Sequence, residues 1–465
     1  MTECQTKKPP YIAEAAALSV LATAVIFILH PSLGIGDADG YAYLMGARSL
    51  HEGRGYVSLA DEPLNHWPPG YSLLISLFQD SLLGATILNY GSLCATIGLV
   101  YYLLRQSNWS WQASGGLTIA LAFGFFRLLA ISVHADIFTY ALFLTALLMA
   151  TSSKHPRVLP SMIWALLIPV KLIAVVFLPP ALGSDILSSR RSWWELMRAY
   201  TPGILTSILG VGCILIFNRL TIQAWVSTSM GSSSFGTVIS GAKTFVVSIP
   251  REFLFGWHGT IAAPFPGVMF LISMGLAAVC ILSLRPVPER KWFTYYGLLC
   301  LISSALLLCV RDYVPSVRLL GYGLIVLFLG VRPMGWGNPV WLLYGVVSLS
   351  IGAVNALTVN SLGSMDPRYA RLAGEVRASY KEDGVVATNS FHLLDLHANI
   401  ASIPVTNYVE AEKYSEFLWV TLPKYDPIAT AVMAIARPGQ DWCEQKQFSG
   451  GALFARCKRS TTAVE

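Results

Sequence analysis

The stretch YIAEAAALSVLATAVIFIL (Tyr11–Leu29), followed after a short gap by DADGYAYLMGARSLHEGRGY (Asp37–Tyr56), decides how the chain is read. The first segment is one apolar run of about the ~20 residues that a helix needs to cross a hydrocarbon core. The second is polar, opens on two carboxylates, and is too long and too charged for a simple connector. Working outward, similar apolar runs recur over the first three quarters of the 465 residues. Candidate spans are Tyr11 to Leu29, Ser81 to Leu104, Trp111 to Ala130, Ile137 to Ala150, a Pro-broken pair from Val158 to Leu187, Tyr200 to Phe217, Pro264 to Leu284, Trp292 to Val310, Leu319 to Val331 and Val340 to Val359. The expected fold class is therefore an α-helical polytopic membrane protein of about eleven spans.

Composition agrees. Apolar residues make up 54% of the chain and charged residues 12%, half the roughly 25% of a soluble globular protein. Lys and Arg number 32 against 26 Asp and Glu, a net charge of +6 that is too dilute for a nucleic-acid binder. Lys7 and Lys8 precede the first apolar run without a small-residue cleavage site, so that run is expected to be a retained span. With the amino terminus inside, the short loops on the inner side carry Lys7, Lys8, Arg105, Lys154, Arg157, Arg190, Arg191, Arg198, Arg285, Arg290, Lys291 and Arg332, as the positive-inside rule requires. Segments 31–69, 219–262 and 361–465 then lie outside. Residues 1–360 form the membrane domain and 361–465 a small soluble α/β domain, with strands over Gly384–Thr388, Glu416–Thr421 and Ala452–Ala455 and helices over Asp366–Tyr380 and Pro427–Ala436.

Within the first outer loop, Tyr41, Leu44, Ala47 and Leu50 recur at helical spacing, which predicts an amphipathic helix over Gly40–His51 on the membrane surface. Asp37 and Asp39 at its start suit a helix amino terminus, a general base or a metal ligand alike. The return segment HWPPGYSLL (His66–Leu74) has a Pro-Pro-Gly turn that feeds into apolar sequence.

Asp37 four before Tyr41, the Ala47–Leu50 and Gly53-Arg54-Gly55-Tyr56 continuation, and Pro68-Pro69-Gly70-Tyr71 together resemble the membrane-embedded glycosyltransferases of the GT-C superfamily. The likeness is to the bacterial relatives of protein mannosyltransferases and aminoarabinose transferases. It implies a GT-C-like arrangement of spans and transfer of a sugar, with inversion, from a polyprenyl-phosphate donor to an acceptor on the outer face of the plasma membrane. On that resemblance Asp37 is the base that withdraws the acceptor's proton, and Asp39 orients it or binds a cation. Tyr41 and His66 flank the same substrate site. Asp136, in FFRLLAISVHADIF between two spans, matches an acidic residue of the family's outer turn and serves equally well as a helix cap. Arg318, in RDYVPSVRLLGYGL, resembles the arginine opening a family segment, with Leu319 and Gly321 in place of an aromatic and a proline. On the resemblance Arg318 meets the lipid phosphate, and it serves equally well as a snorkelling interface arginine; Lys171 in the broken hairpin either approaches that phosphate or faces the cytoplasm.

Other features have plain readings. His134 fits an interfacial residue, and Lys243, Arg251, Trp257 and His258 fit a surface-lying helix. His392, Asp395 and His397 in NSFHLLDLH match no standard metal spacing. No cofactor is certain; a divalent cation remains open because paired carboxylates suit metal-assisted and metal-free transfer. The acceptor (protein, lipid or polysaccharide) is open too. Cys443 and Cys457 share the soluble tail, where a disulfide across a hairpin is plausible in an oxidising compartment. A transporter or flippase is the competing class, and it predicts mid-membrane polar residues and an internal repeat, of which none is evident. A noncatalytic scaffold is a third reading, in which Asp37 is replaceable.

Overall fold

The structure is a computed structural model describing residues 11–31, 33–34, 38–61, 63–64, 68–152, 167–168, 170, 178–188, 193–222, 266–310, 317–358, 367–380, 385–390, 394, 399–405, 411–421, 438 and 441–457. It divides into two compact units, residues 1–31 with 87–359 and residues 32–86 with 360–465. Residues 32–86 thus group with the tail.

The first unit is helical. Its elements are α1 (Tyr11–Leu29), α4 (Ser81–Gln106, which begins in the other unit), α5 (Trp111–Leu121), a π-turn (Ala122–Phe126) running into α6 (Arg127–Ala130), and α7 (Asp136–Ser152). There follow α8 (Leu178–Ser188), α9 (Trp193–Ile222), α10 (Pro266–Leu282), α11 (Lys291–Val310), α12 (Val317–Leu329) and α13 (Gly337–Thr358). Among the described residues five helical stretches are long and apolar enough to cross a membrane: Tyr11–Leu29, Ser81–Gln106, Trp111–Ala130, Tyr200–Phe217 and Gly337–Val354. Helices also cover the expected spans at Ile137–Ala150 and Trp292–Val310, and the helices Pro266–Leu282 and Val317–Leu329 fall on the spans expected at Pro264–Leu284 and Leu319–Val331. Most of the proline-broken pair Val158–Leu187, and most of the outer loop 219–262 with Lys243, Arg251, Trp257 and His258, lie outside the described residues.

These helices present leucine and isoleucine outward. Leu21, Ile28, Leu205, Ile208, Leu209, Leu271 and Leu282 are all exposed, which is stable only where lipid replaces water. With lipid on the outside, the hydrophobic effect no longer drives helix against helix, and close backbone packing takes its place. Gly116 and Gly345 show this between α5 and α13: a Cβ on Gly345 would lie 2.6 Å from the Gly116 carbonyl oxygen. Between α11 and α12 a Cβ on Gly297 would lie 2.8 Å from the Gly323 oxygen. Ser110 caps α5 by accepting from the Ala113 N–H at 3.2 Å.

In the second unit α2 (Ala38–His51) packs with α3 (Gly70–Ile75). The tail contributes α14 (Pro367–Ser379) and the strands β3 (Val386–Thr388), β4 (Ser402–Pro404), β5 (Glu416–Val420), β6 (Trp442–Phe448) and β7 (Gly451–Arg456); β1 (Leu284–Pro286) and β2 (Val331–Pro333) form a separate ribbon in the helical unit. The sheet order is β4-β3-β5-β7-β6, with β3 parallel to β4 and β5 and the rest antiparallel. Period-two alternation sorts the side chains. Val386, Leu418, Val420 and Leu453 meet Leu372 and Val376 of α14, while Ala387, Phe417, Ala452 and Phe454 meet Val405, Ala411 and Trp442 on the opposite face. The Cys443–Cys457 disulfide joins β6 to the end of β7. The expected strands and the helix Asp366–Tyr380 are present; Pro427–Ala436 lies outside the described residues.

Candidate functional site

Of the residues singled out from sequence, Asp37, His66 and Lys171 lie outside the described residues, as do His392, Asp395 and His397. Arg318 is the second residue of α12, its side chain likewise outside. Asp39 and Tyr41 belong to α2, and Asp136 opens α7.

The helix over Gly40–His51 is present as Ala38–His51, but it is not a surface helix with one apolar face. Residues 40–47 and Ser49 are all buried. The reason lies in the side chains: Gly40, Ala42, Gly46 and Ala47 are small enough for neighbouring segments to close over them, and the polar Arg48 and His51 stand only in the last turn. Gly46 admits the Tyr56 ring, whose Cδ2 would lie 2.7 Å from an added Cβ. The Tyr56 hydroxyl sits 3.3 Å from Ser72 Oγ, and Tyr43 meets Tyr71 edge-on at 5.1 Å. Burial pushes the Tyr56 hydroxyl well above its usual range; its bond with Ser72 opposes this and the Asp39 charge adds to it. Asp39 is therefore felt inside this folded loop, beside the buried tyrosines. Below it Arg48 pairs with Glu52 at 2.9 Å, Arg54 with Glu52 at 2.9 Å and with Asp61 at 3.4 Å. The Arg48 hydrogen bond is the main reason the Glu52 carboxyl is held below its usual range. Gly53 and Gly55, at φ +73° and +95°, allow the turn that brings Arg54 back.

In the helical unit a second polar cluster gathers around the π-turn. Such turns insert an extra residue and recur at functional positions. Arg127, only 2% exposed, donates from Nε to the Phe123 carbonyl at 3.0 Å and from Nη1 to His30 Nε2 at 3.2 Å. An accepting Nε2 assigns the proton of neutral His30 to Nδ1. The His30 carbonyl accepts from the Tyr90 hydroxyl. Burial, then the Arg127 charge, push His30 down to about 4, so it is neutral near pH 7. No carboxylate forms an ion pair with Arg127 among the described residues.

Asn89 of α4 holds the segment before α7, donating to Ala130 O at 3.2 Å and Ser132 O at 2.7 Å. Asp136, 1% exposed, and His134 follow in that segment. Burial of His134 corrects the interfacial reading; Asn89 draws its loop inward. Tyr140 and Tyr322 stack at 3.9 Å. Gly321 leaves room for this wall, since a Cβ there would lie 2.8 Å from Phe125 Cε1; its departure from the family's proline thus has a packing reason. His30 escaped the sequence reading because its partner is 97 residues away. The available signal was Arg127 itself, a charge within the apolar run Phe123–Ala130.

No protein-family model and no curated protein sequence matches the chain. Solved structures do. ArnT from Cupriavidus metallidurans bound to undecaprenyl phosphate superposes with a TM-score of 0.51 at 13% identity, over 96% of this chain and 98% of that one. The same protein in the apo state gives a TM-score of 0.50 at 12% identity, over 95% and 98%. The chain shares the fold of that protein, the fold that the resemblance of the 31–69 segment implied. Among the described residues, no group of three or more His, Cys, Asp or Glu side chains is gathered to hold a metal ion.

Proposed function

We propose that this GT-C chain is a glycosyltransferase of the plasma membrane that moves a hexose or pentose from a polyprenyl-phosphate donor to an acceptor on the outer face, with inversion. The observation that carries the reading is the end-to-end likeness to an ArnT structure bound to undecaprenyl phosphate, together with the Asp37-led loop.

The chemistry follows from the groups involved. A neutral acceptor hydroxyl is a weak nucleophile, so Asp37 takes its proton as the oxygen bonds to the anomeric carbon. The bond from that carbon to the donor phosphate breaks, and the lipid phosphate leaves with the electron pair. A single displacement opposite the leaving group inverts the anomeric centre. Asp39 and Tyr41 orient the base and His66 lines the same pocket. Asp136 positions the acceptor, and Arg318 and Lys171 meet the donor phosphate. Arg127, a buried guanidinium with no carboxylate partner among the described residues, joins them as a fixed cation for developing charge. The Cys443–Cys457 disulfide supports an outward-facing α/β domain, because such bonds persist in oxidising compartments.

The test is transfer in liposomes containing the purified protein, radiolabelled polyprenyl-phosphate sugars and candidate acceptors. Release of lipid phosphate that depends on acceptor is expected, and Asp37→Asn should lower it roughly 10²- to 10⁴-fold. An Asp37→Asn protein that inserts normally and transfers at the original rate removes the assigned base. Vesicle uptake of sugar without transfer replaces the enzyme by a transporter.

A further inference from the structure

At the end of the helical unit opposite His30, α10 runs into β1 (Leu284–Pro286) and α12 into β2 (Val331–Pro333), and the two strands pair antiparallel. The ribbon ties down that end of the bundle. Met334 N–H donates to the Ser283 carbonyl at 2.8 Å, Val287 N–H to Gly330 O at 3.0 Å, and the Trp109 indole to Val331 O at 2.7 Å. Its register places Arg285 directly across from Arg332, with Leu284–Pro333 and Pro286–Val331 on the other face.

Directly paired residues project to the same side with Cβ atoms roughly 4.5–5.5 Å apart, and like charges so placed destabilise a ribbon. Neither guanidinium has an ion pair or hydrogen bond among the described residues. Arg285 is exposed and Arg332 half-buried. Their neighbours at this end differ. Arg290 is held by the Ser107 hydroxyl at 2.7 Å and by the Gln106 carbonyl, and Arg105 by Glu14 at 3.5 Å and the Trp109 carbonyl at 2.8 Å. Exposed Lys291 adds a third unpaired cation, and exposed Glu289 one acid that pairs with none of them.

Two further observations say what meets this face. The ribbon lies where α10 and α12 end and α11 and α13 begin, and the exposed faces of these helices are apolar, so it sits at the edge of the hydrocarbon layer. Trp111 and Trp336, at the starts of α5 and α13, are 58% and 52% exposed at this end, as interfacial tryptophans are. A polyanion dissolved in water would leave those indoles unsatisfied; a phospholipid headgroup gives phosphate to the arginines and an interface to the rings.

We propose that Arg285 and Arg332 form a binding site for an anionic phospholipid headgroup, the lipid phosphate lying between the two guanidiniums. Bound there, the headgroup turns a repulsive cross-strand pair into a bridged one and anchors the ends of α10 to α13. The site shares no residue with those assigned to sugar transfer, and Arg318 stands at the other end of α12.

The experiment uses the full chain in detergent, titrated with phosphatidylglycerol or phosphatidylcholine, with bound lipid read by native mass spectrometry and Tm by thermal unfolding. Preferential retention of phosphatidylglycerol and a raised Tm are expected. Arg285→Gln with Arg332→Gln should weaken that preference roughly thirtyfold, and each single change roughly fivefold. The Arg285→Lys, Arg332→Lys protein, which keeps both charges, should retain most of it. Equal phosphatidylglycerol binding by the wild-type and doubly neutralised proteins overturns the site. So does displacement of the lipid by millimolar inorganic phosphate, which would make the site one for a soluble phosphate. Both readouts are independent of sugar transfer, so failure of the glycosyltransferase assay leaves this result standing, and the reverse holds too.

Discussion

The two units use the same apolar residue types in opposite ways. In the tail, Leu418, Val420, Leu453 and Phe454 are hidden between a sheet and its covering segments, because water drives them there. In the helical unit Leu209, Leu271 and Leu282 face outward, because lipid removes that drive. The arginines reverse in parallel. Arg48 and Arg54, in the unit that holds the sheet, are partly exposed and paired with carboxylates. Arg127, in the unit built for lipid, is buried and holds a neutral histidine and a carbonyl. A paired surface arginine contributes little to stability, whereas a buried one without a counter-charge is costly and persists where it serves a function.

Substitution of the two arginines gives the largest expected contrast. Arg127→Met should lower transfer roughly 10²- to 10³-fold, the range seen when one charge-stabilising donor is removed, with little loss of Tm, since a long apolar side chain fits an apolar run. Arg54→Met should leave transfer unchanged. Initial rates in liposomes, with Tm as the control for folding, separate the two; equal rates for both variants would remove Arg127 from the site.

Breaking the tail's cross-link tests the water-driven unit. Replacing Cys443 and Cys457 by Ala, which opens a loop with a sequence separation of 14, should cost about 3 kcal/mol. Guanidinium unfolding followed by Trp fluorescence should register it in the tail's transition alone. A shift of the helical unit's transition would mean that the two units unfold together.

Acid tests the buried pair. His30 titrates near 6.5 in an unfolded chain and near 4 in the folded one. Between these values the unfolded state holds the proton and the folded state does not. Stability is thus fully present above about pH 6.5 and falls as pH drops toward 4, by up to about 3 kcal/mol. Tm measured from pH 7.5 to 4 should decline, and His30→Asn should remove that share of the decline. The smallest effect belongs to the surface network: Arg54→Ala should change unfolding free energy by about 0.2–1 kcal/mol, less at high salt.

Much of this fold is legible in the amino-acid sequence. The apolar runs at Tyr11–Leu29 and Trp111–Ala130 matched candidate spans end to end, because hydrocarbon thickness sets a length that composition alone reveals. The strands at Glu416–Val420 and Gly451–Arg456 followed from local patterning. The helix Ala38–His51 was legible, its burial was not: spacing names a face but not how many neighbours surround it. Asp136 stands out in the sequence by its position between two spans, whereas His30 is picked out only by its contact with Arg127.

By itself, the sequence determined which segments are apolar enough to enter lipid and which carry the mixed patterning of a fold in water, since these depend on transfer free energies that each residue carries locally. The tertiary structure alone decided that His30 meets Arg127, that Gly116 meets Gly345, and that Arg285 faces Arg332. Those are pairings across tens to hundreds of residues, and chain geometry, not local chemistry, selects which groups share a volume.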